Sequence, residues 1–259
     1  MRDSYREQLD DVLADLVHMA QVVSSAVRSA TTALLEADIH LAEQVISDDE
    51  RIDAKQAEIE GRAFSLLARQ APVAGELRTI VATLRMVTEL ERMGDLAAHI
   101  AKIARLRYPE IAVPETMRPN FVRMGDVAEK MVITAGQTLN DRNIQSAQEL
   151  RDRDEEMDEL RRTQFRVMLS EDWGYGVEAA VDVALLGRYY ERIADHAARA
   201  GRRRAPATAP EARERRGPHS HRRSCHSGSG TDRTDCGHGS CVAAPRDDRR
   251  AQEQSTRDA

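Results

Sequence analysis

The chain has 259 residues, of which 32% are charged and 3% aromatic, with a formal net charge of -6. Its length admits one large domain or two of ordinary size. Abundant Ala, Leu, Arg and Glu favour long helices over sheets, because these residues lose little freedom in a helix. No run of about 18 apolar residues is present to span a membrane, and the start, Met1-Arg2-Asp3-Ser4, opens into a charged amphipathic pattern without a signal-peptide core. A cytoplasmic protein is the expectation.

The charge is unevenly spread. Residues 199–259 hold 14 Arg and 8 acidic residues, so residues 1–198 carry 24 basic and 36 acidic ones. An acidic main body argues against a nucleic-acid surface. All three cysteines (Cys225, Cys236, Cys241) fall in the C-terminal stretch, which leaves the rest with neither disulfides nor thiolate ligands.

Helical periodicity predicts six elements. The first covers about 5–35, with Leu9, Val12, Leu13, Leu16, Met19 and Val23 in phase. The second covers about 39–69 and is broken by Gln70-Ala71-Pro72. The third runs over about 73–107. Residues 108–119 contain Pro109, Pro114 and Pro119 and read as an interdomain linker. A fourth helix is expected over 120–139, with a turn at 140–143. A fifth follows over 144–169, then the turn Trp173-Gly174-Tyr175-Gly176, then a sixth readable to about 198.

Two signatures recur. Glu91-Arg92-Met93-Gly94-Asp95 returns 100 residues later as Glu191-Arg192-Ile193-Ala194-Asp195. Asp49-Glu50-Arg51-Ile52-Asp53 returns 105 residues later as Asp154-Glu155-Glu156-Met157-Asp158. The expected fold is therefore all-α: two tandem three-helix bundles of antiparallel helices, at 1–110 and 111–198, followed by a tail at 199–259.

Carboxylates four residues apart share a helix face and repel, so such a pair wants a cation. Continuing the apolar stripe Leu77, Ile80/Val81, Leu84, Val87 lands on Glu91 and Asp95. The stripe Val177, Val181, Ala184, Arg188 likewise continues to Glu191 and Asp195. From a turn centred on Ala71, Asp53 and Asp49 lie 18 and 22 residues back, and Glu91 and Asp95 lie 20 and 24 onward. An antiparallel hairpin brings the four to one level. Asp154 and Asp158 stand in the same relation to Glu191 and Asp195. Four converging carboxylates are unfavourable unless neutralised, which points to a hard-oxygen metal site suited to Mg, Mn, Fe, Zn or Ca. The alternative is a salt-bridged, solvated face with Arg92 and Arg192 as local partners.

The strings ELERMGDLAAHI and YYERIADHA, each closing a three-helix unit, resemble the PhoU family of phosphate-uptake and phosphate-starvation regulators, as does the opening MRDSYREQLDDVLADLVHMAQ. The resemblance covers roughly 1–197. It implies a PhoU-like fold, often a homodimer, whose ExxxD-type motifs bind multinuclear clusters of iron or zinc. The corresponding residues are Asp49, Asp53, Glu91 and Asp95 in one half and Asp154, Asp158, Glu191 and Asp195 in the other. It further implies two partners, the ATPase of the phosphate ABC transporter and a sensor histidine kinase, and a negative regulatory role. His99 stands where the family usually has Asn, and reads more readily as a helix-end polar residue than as a ligand.

Residues 199–259 have no sustained apolar period and cannot bury a core, so the expectation is a disordered tail. Its Arg, Ser, Pro and His content suggests off-frame translation of a GC-rich gene, and its His and Cys spacing matches no standard zinc finger. The competing functions are a metal-free helical scaffold and a carboxylate-bridged di-metal oxidase. The latter typically needs Glu-x-x-His motifs, and none occurs. No nucleophile constellation or Gly-rich phosphate loop is present either, so no enzyme is expected.

Overall fold

In the computed structural model, which describes residues 2–70, 72, 75–138 and 144–202, the secondary structure is helical throughout. The helices are α1 (Arg2–Glu36), α2 (Ile39–Gln70), α3 (Gly75–Arg107), α4 (Arg118–Gln137), α5 (Ile144–Met168) and α6 (Gly176–Arg202). Helix α1, at 35 residues, is about 50 Å long at 1.5 Å per residue. It buries Leu9, Val12, Leu16, Met19, Val23, Val27 and Ala30, in the steps of three and four that keep one face on the core. Its end is abrupt. Ala37 takes the left-handed conformation (φ 52°), and the Asp38 carboxylate accepts the Leu41 N–H at 3.0 Å, satisfying a donor that the first turn of α2 would otherwise leave open.

Four helices form the centre. Helix α1 packs on α2, α3 and α4; α6 packs on α3, α4 and α5; α2 and α5 lie on the flanks. Helices that correspond in the repeat meet antiparallel, α1 with α4 and α3 with α6. Along α1–α4, Arg28 pairs with Glu129 and the Arg118 guanidinium donates to the Leu35 carbonyl. Along α3–α6, Glu89 meets His196 at 2.6 Å, and Arg107 meets Asp182 at 2.5 Å together with Glu178. The halves are thus related by a pseudo-two-fold axis across the helices. Tyr190 of α6 helps seal the centre: it is fully buried, its ring 6.0 Å from Phe121 of α4 and its hydroxyl 2.8 Å from that of Thr31 on α1.

Close approach needs small residues. A Cβ at Gly125 would lie 2.8 Å from Thr31 Oγ1, and one at Gly136 would press into the methyl group of Ala20. Both glycines face α1, and they set how near α4 can come.

The 108–119 segment joins α3 to α4 and packs against the core: Ala112, Val113 and Met117 are buried, and Pro119 lies in the first turn of α4, where its missing N–H costs nothing. One sequence-based expectation changes. Helix α6 continues past 198 to Arg202, so Arg199 to Arg202 belong to the bundle. The expected turn at 140–143 and the tail beyond 202 lie outside the described residues.

Candidate functional site

The acid pairs sit at the rim of the core rather than on its central line. On α3 that line is Ile80, Thr83, Val87, Leu90, Met93 and Ala97, and Glu91 and Asp95 are half-buried beside it. Leu77, which began the stripe read from the sequence, is exposed. On α6 the core line is Val183, Leu186, Tyr190 and Ile193, while Val177 and Val181 face outward. At 3.6 residues per turn, a row of four-residue steps drifts off the buried face within a few turns.

In the first half, α2 and α3 bring the four acids into one electrostatic group. Gly94 permits this: a Cβ there would stand 2.9 Å from Ile52 Cδ1 and 3.6 Å from Asp49 Oδ1, so α2 rests almost on the α3 backbone beside the Asp49 carboxylate. Asp49 is half-buried and Asp53 exposed. Burial, then the charges of Asp95 and Asp53, push the Asp49 carboxyl above its usual range; Lys102 and His99 pull the other way from a distance. Burial, then Asp95 and Asp53, push Glu91 up likewise. Among the described residues, none of the four has a cationic side chain within ion-pair distance. The site is not a closed cage: among the described residues, no three His, Cys, Asp or Glu side chains are grouped to hold a metal ion. Its chemistry, with four acids close enough to repel and two of them pushed toward protonation by burial and by one another, nevertheless suits a hard cation.

His99 lies next to this patch. Its Nδ1 is 2.7 Å from the Asp95 carbonyl oxygen, which can only accept, so Nδ1 carries the hydrogen. The ring packs on Tyr189 of α6, with centroids 5.4 Å apart.

The second patch is arranged differently. Glu191 receives Arg188 Nη1 at 2.8 Å and Arg161 Nε at 3.3 Å. Asp195 faces Arg199 at 3.5 Å. Asp154 is half-buried on α5 and Asp158 is exposed. The local partners expected from the sequence, Arg92 and Arg192, are exposed and form no ion pair with these acids among the described residues. Sequence reading missed Arg161, Arg188 and Arg199 because it compared the two halves only at their acids. It also missed the Glu89–His196 pair, buried between α3 and α6, which occurs once because Tyr189 and Leu96 stand at the repeat-related positions.

Six helices in two antiparallel halves, each marked by an ExxxD pair on its last helix, define a duplicated helical-bundle protein with acidic surface patches. The PhoU domain pattern matches residues 16–104 and again 121–203, and the chain belongs to the PhoU family. Among similar proteins, a phosphate-specific transport system accessory protein, PhoU homolog 2 of Mycobacterium tuberculosis, is 47% identical over 203 residues, covering 78% of this chain and 95% of that protein. A PhoU homolog of Caulobacter vibrioides is 33% identical over 196 residues, covering 75% and 85%. The crystal structure of PhoU from Pseudomonas aeruginosa superposes with a TM-score of 0.70 at 26% identity, over 77% of this chain and 96% of that one. The second match runs to 203, so the family pattern does not stop near 197.

Proposed function

We propose that this protein is a cytoplasmic accessory regulator of phosphate transport. In this reading it restrains phosphate uptake and phosphate-starvation signalling by docking between the ATPase of a phosphate ABC transporter and a sensor histidine kinase. It works by binding, not by catalysis, and as a homodimer. Its relatives' description as phosphate-specific transport accessory proteins supports the first part. No helix among the described residues is long and apolar enough to cross a membrane, which is consistent with reaching the transporter through a partner.

A single observation carries the metal-responsive part: four mutually repelling carboxylates, Asp49, Asp53, Glu91 and Asp95, on which burial and repulsion outweigh the pull of Lys102, His99 and Arg92, none of them ion-paired to the four among the described residues. These residues would hold an iron or zinc ion, or alternatively manganese or magnesium, supplying oxygen ligands from two helices. A bound ion would tie α2 to α3 and cancel the repulsion. At a concentration 100 times its Kd, it would stabilise the fold by about 2.7 kcal/mol.

Elemental analysis of the purified protein tests this, alongside melting curves with added iron(II), manganese(II), zinc or magnesium. The expected result is bound metal and a raised melting temperature, both lost in Glu91→Ala/Asp95→Ala. A chain that retains no metal and whose melting no metal shifts would leave the metal-free scaffold as the better reading. Co-purification with the transporter ATPase and with the kinase tests the adaptor role separately.

A further inference from the structure

We propose that the second acidic patch carries its own cations: Arg161, Arg188 and Arg199 take the place a metal would fill, so the chain has one cation-binding patch, not two. Only the one-patch clause rests on the metal reading of the first half. That the second patch is neutralised from within stands on the ion pairs alone.

Aligning the two halves by sequence shows the substitution. With shifts of 105 for α2/α5 and 100 for α3/α6, Arg161, Arg188 and Arg199 stand at the positions of Gln56, Thr88 and His99. None of the first-half residues forms an ion pair with the acids, although the His99 ring is near enough to be felt by Asp49. Gln56 donates along its own helix to Glu60 at 3.3 Å, the Thr88 hydroxyl donates to the Leu84 carbonyl at 3.1 Å, and His99 Nδ1 bonds the Asp95 carbonyl. All three second-half arginines do. Arg188 and Arg161 converge on the same oxygen of Glu191, and Arg199 bridges Asp195 and Glu89.

Arg161 is built in rather than draped over the surface. Its side chain is only 12% exposed. The guanidinium lies 4.3 Å above the Phe165 ring, and Nη1 donates to Gln164 Oε1 at 2.9 Å. Gln164 is itself fully buried, its amide donating to the Val183 carbonyl and its carbonyl set against Gly187 of α6. A planar cation fixed on three sides and directed at Glu191 leaves the carboxylate no need of a metal. A metal ion entering this patch would have to displace it.

The two patches should therefore respond oppositely when one charge is removed in a chelating buffer. Glu91→Gln relieves repulsion and should raise the melting temperature. Glu191→Gln strands two guanidinium groups and should lower it. Shifts of about 2–4 °C correspond to 1 kcal/mol in a chain of this size. Arg188→Gln, which removes one cation and keeps the acid, should also lower it. A rise on Glu191→Gln or on Arg188→Gln would overturn the proposal.

Manganese(II) then tests the stoichiometry. Metal content per chain should be the same in Glu191→Gln as in the unaltered protein. It should increase in Arg161→Gln/Arg188→Thr/Arg199→His, which copies the first half into the second. A loss of metal in Glu191→Gln, or no gain in the triple variant when the unaltered chain is loaded, would overturn the one-patch clause. If no variant binds metal, the metal reading of the first patch falls, and the chelator comparison still decides whether the second is self-neutralised.

Discussion

At the scale of residues, the informative contrast is between carboxylates that share a primary pattern and differ in their neighbours. Asp49 and Glu91 are raised from ordinary values of 3.8 and 4.5, mainly by burial and then by nearby acids. A carboxyl whose value is higher folded than unfolded binds protons more tightly in the native state. Its contribution to stability is greatest below the unfolded value and is lost as pH rises through the folded one. In chelator, the unaltered chain should therefore lose stability between about pH 4 and neutrality relative to Glu91→Gln, with the curves converging in acid. Urea titrations at a series of pH values measure this, and parallel curves would rule it out. The acids themselves were legible as a repeated string. Their counter-charges were not, because ion pairing depends on which side of a neighbouring helix an arginine leaves from, and Arg161 lies 30 residues before Glu191 in the chain.

Among the elements, glycine marks where helices touch. Gly61 of α2 has nothing within 4 Å of the place a Cβ would occupy, whereas at Gly136 of α4 the Ala20 methyl group occupies it. Gly61→Ala should stabilise by about 0.5–1 kcal/mol through helix propensity alone. Gly136→Ala should cost about 1–3 kcal/mol by overpacking, since neither a methyl group nor the backbone behind it can turn aside. Denaturant midpoints of the two variants give the comparison, and equal effects would contradict the packing described. The identity of the six α-helices was readable from the 3.6-residue period, whereas the 3-10 turn at Glu115–Met117 was not. The ends were less so: Pro119 reads as a breaker in sequence but opens α4, and Arg199 to Arg202 look like tail but complete α6, because a helix lying against α3 and α4 needs only Ala197, Ala198 and Ala200 buried to hold its last turns.

For the whole molecule, periodicity and the internal repeat predict two three-helix bundles in succession, and the structure adds how closely they depend on each other. The core runs from Val12 of α1 through Leu90 of α3 to Tyr190 of α6. The contacts between the halves include the buried Glu89–His196 pair and the Thr31–Tyr190 hydroxyl pair. Periodicity could not reveal this, since a residue facing its own bundle and one facing the other half follow the same period. Unfolding should accordingly proceed in one transition, with calorimetric and van't Hoff enthalpies in agreement. Two resolved transitions would show that the halves are independent. Tyr190→Phe should cost about 0.5–1.5 kcal/mol, because the Thr31 hydroxyl keeps its bond to the Val27 carbonyl.

The pseudo-two-fold arrangement has an evolutionary consequence. Two identical subunits meeting across a true dyad share one gene, so any substitution appears on both sides and the two edges of the seam stay alike. Here the partners are successive stretches of one polypeptide, and each can be edited alone. The contact between His99 and Tyr189 has its mirror in Arg199 and Glu89: an aromatic stack on one side, an ion pair on the other. Covalent fusion has in effect released the molecule from its own symmetry, so a duplicated feature can be kept in one copy and converted in the other without disturbing the frame that holds both.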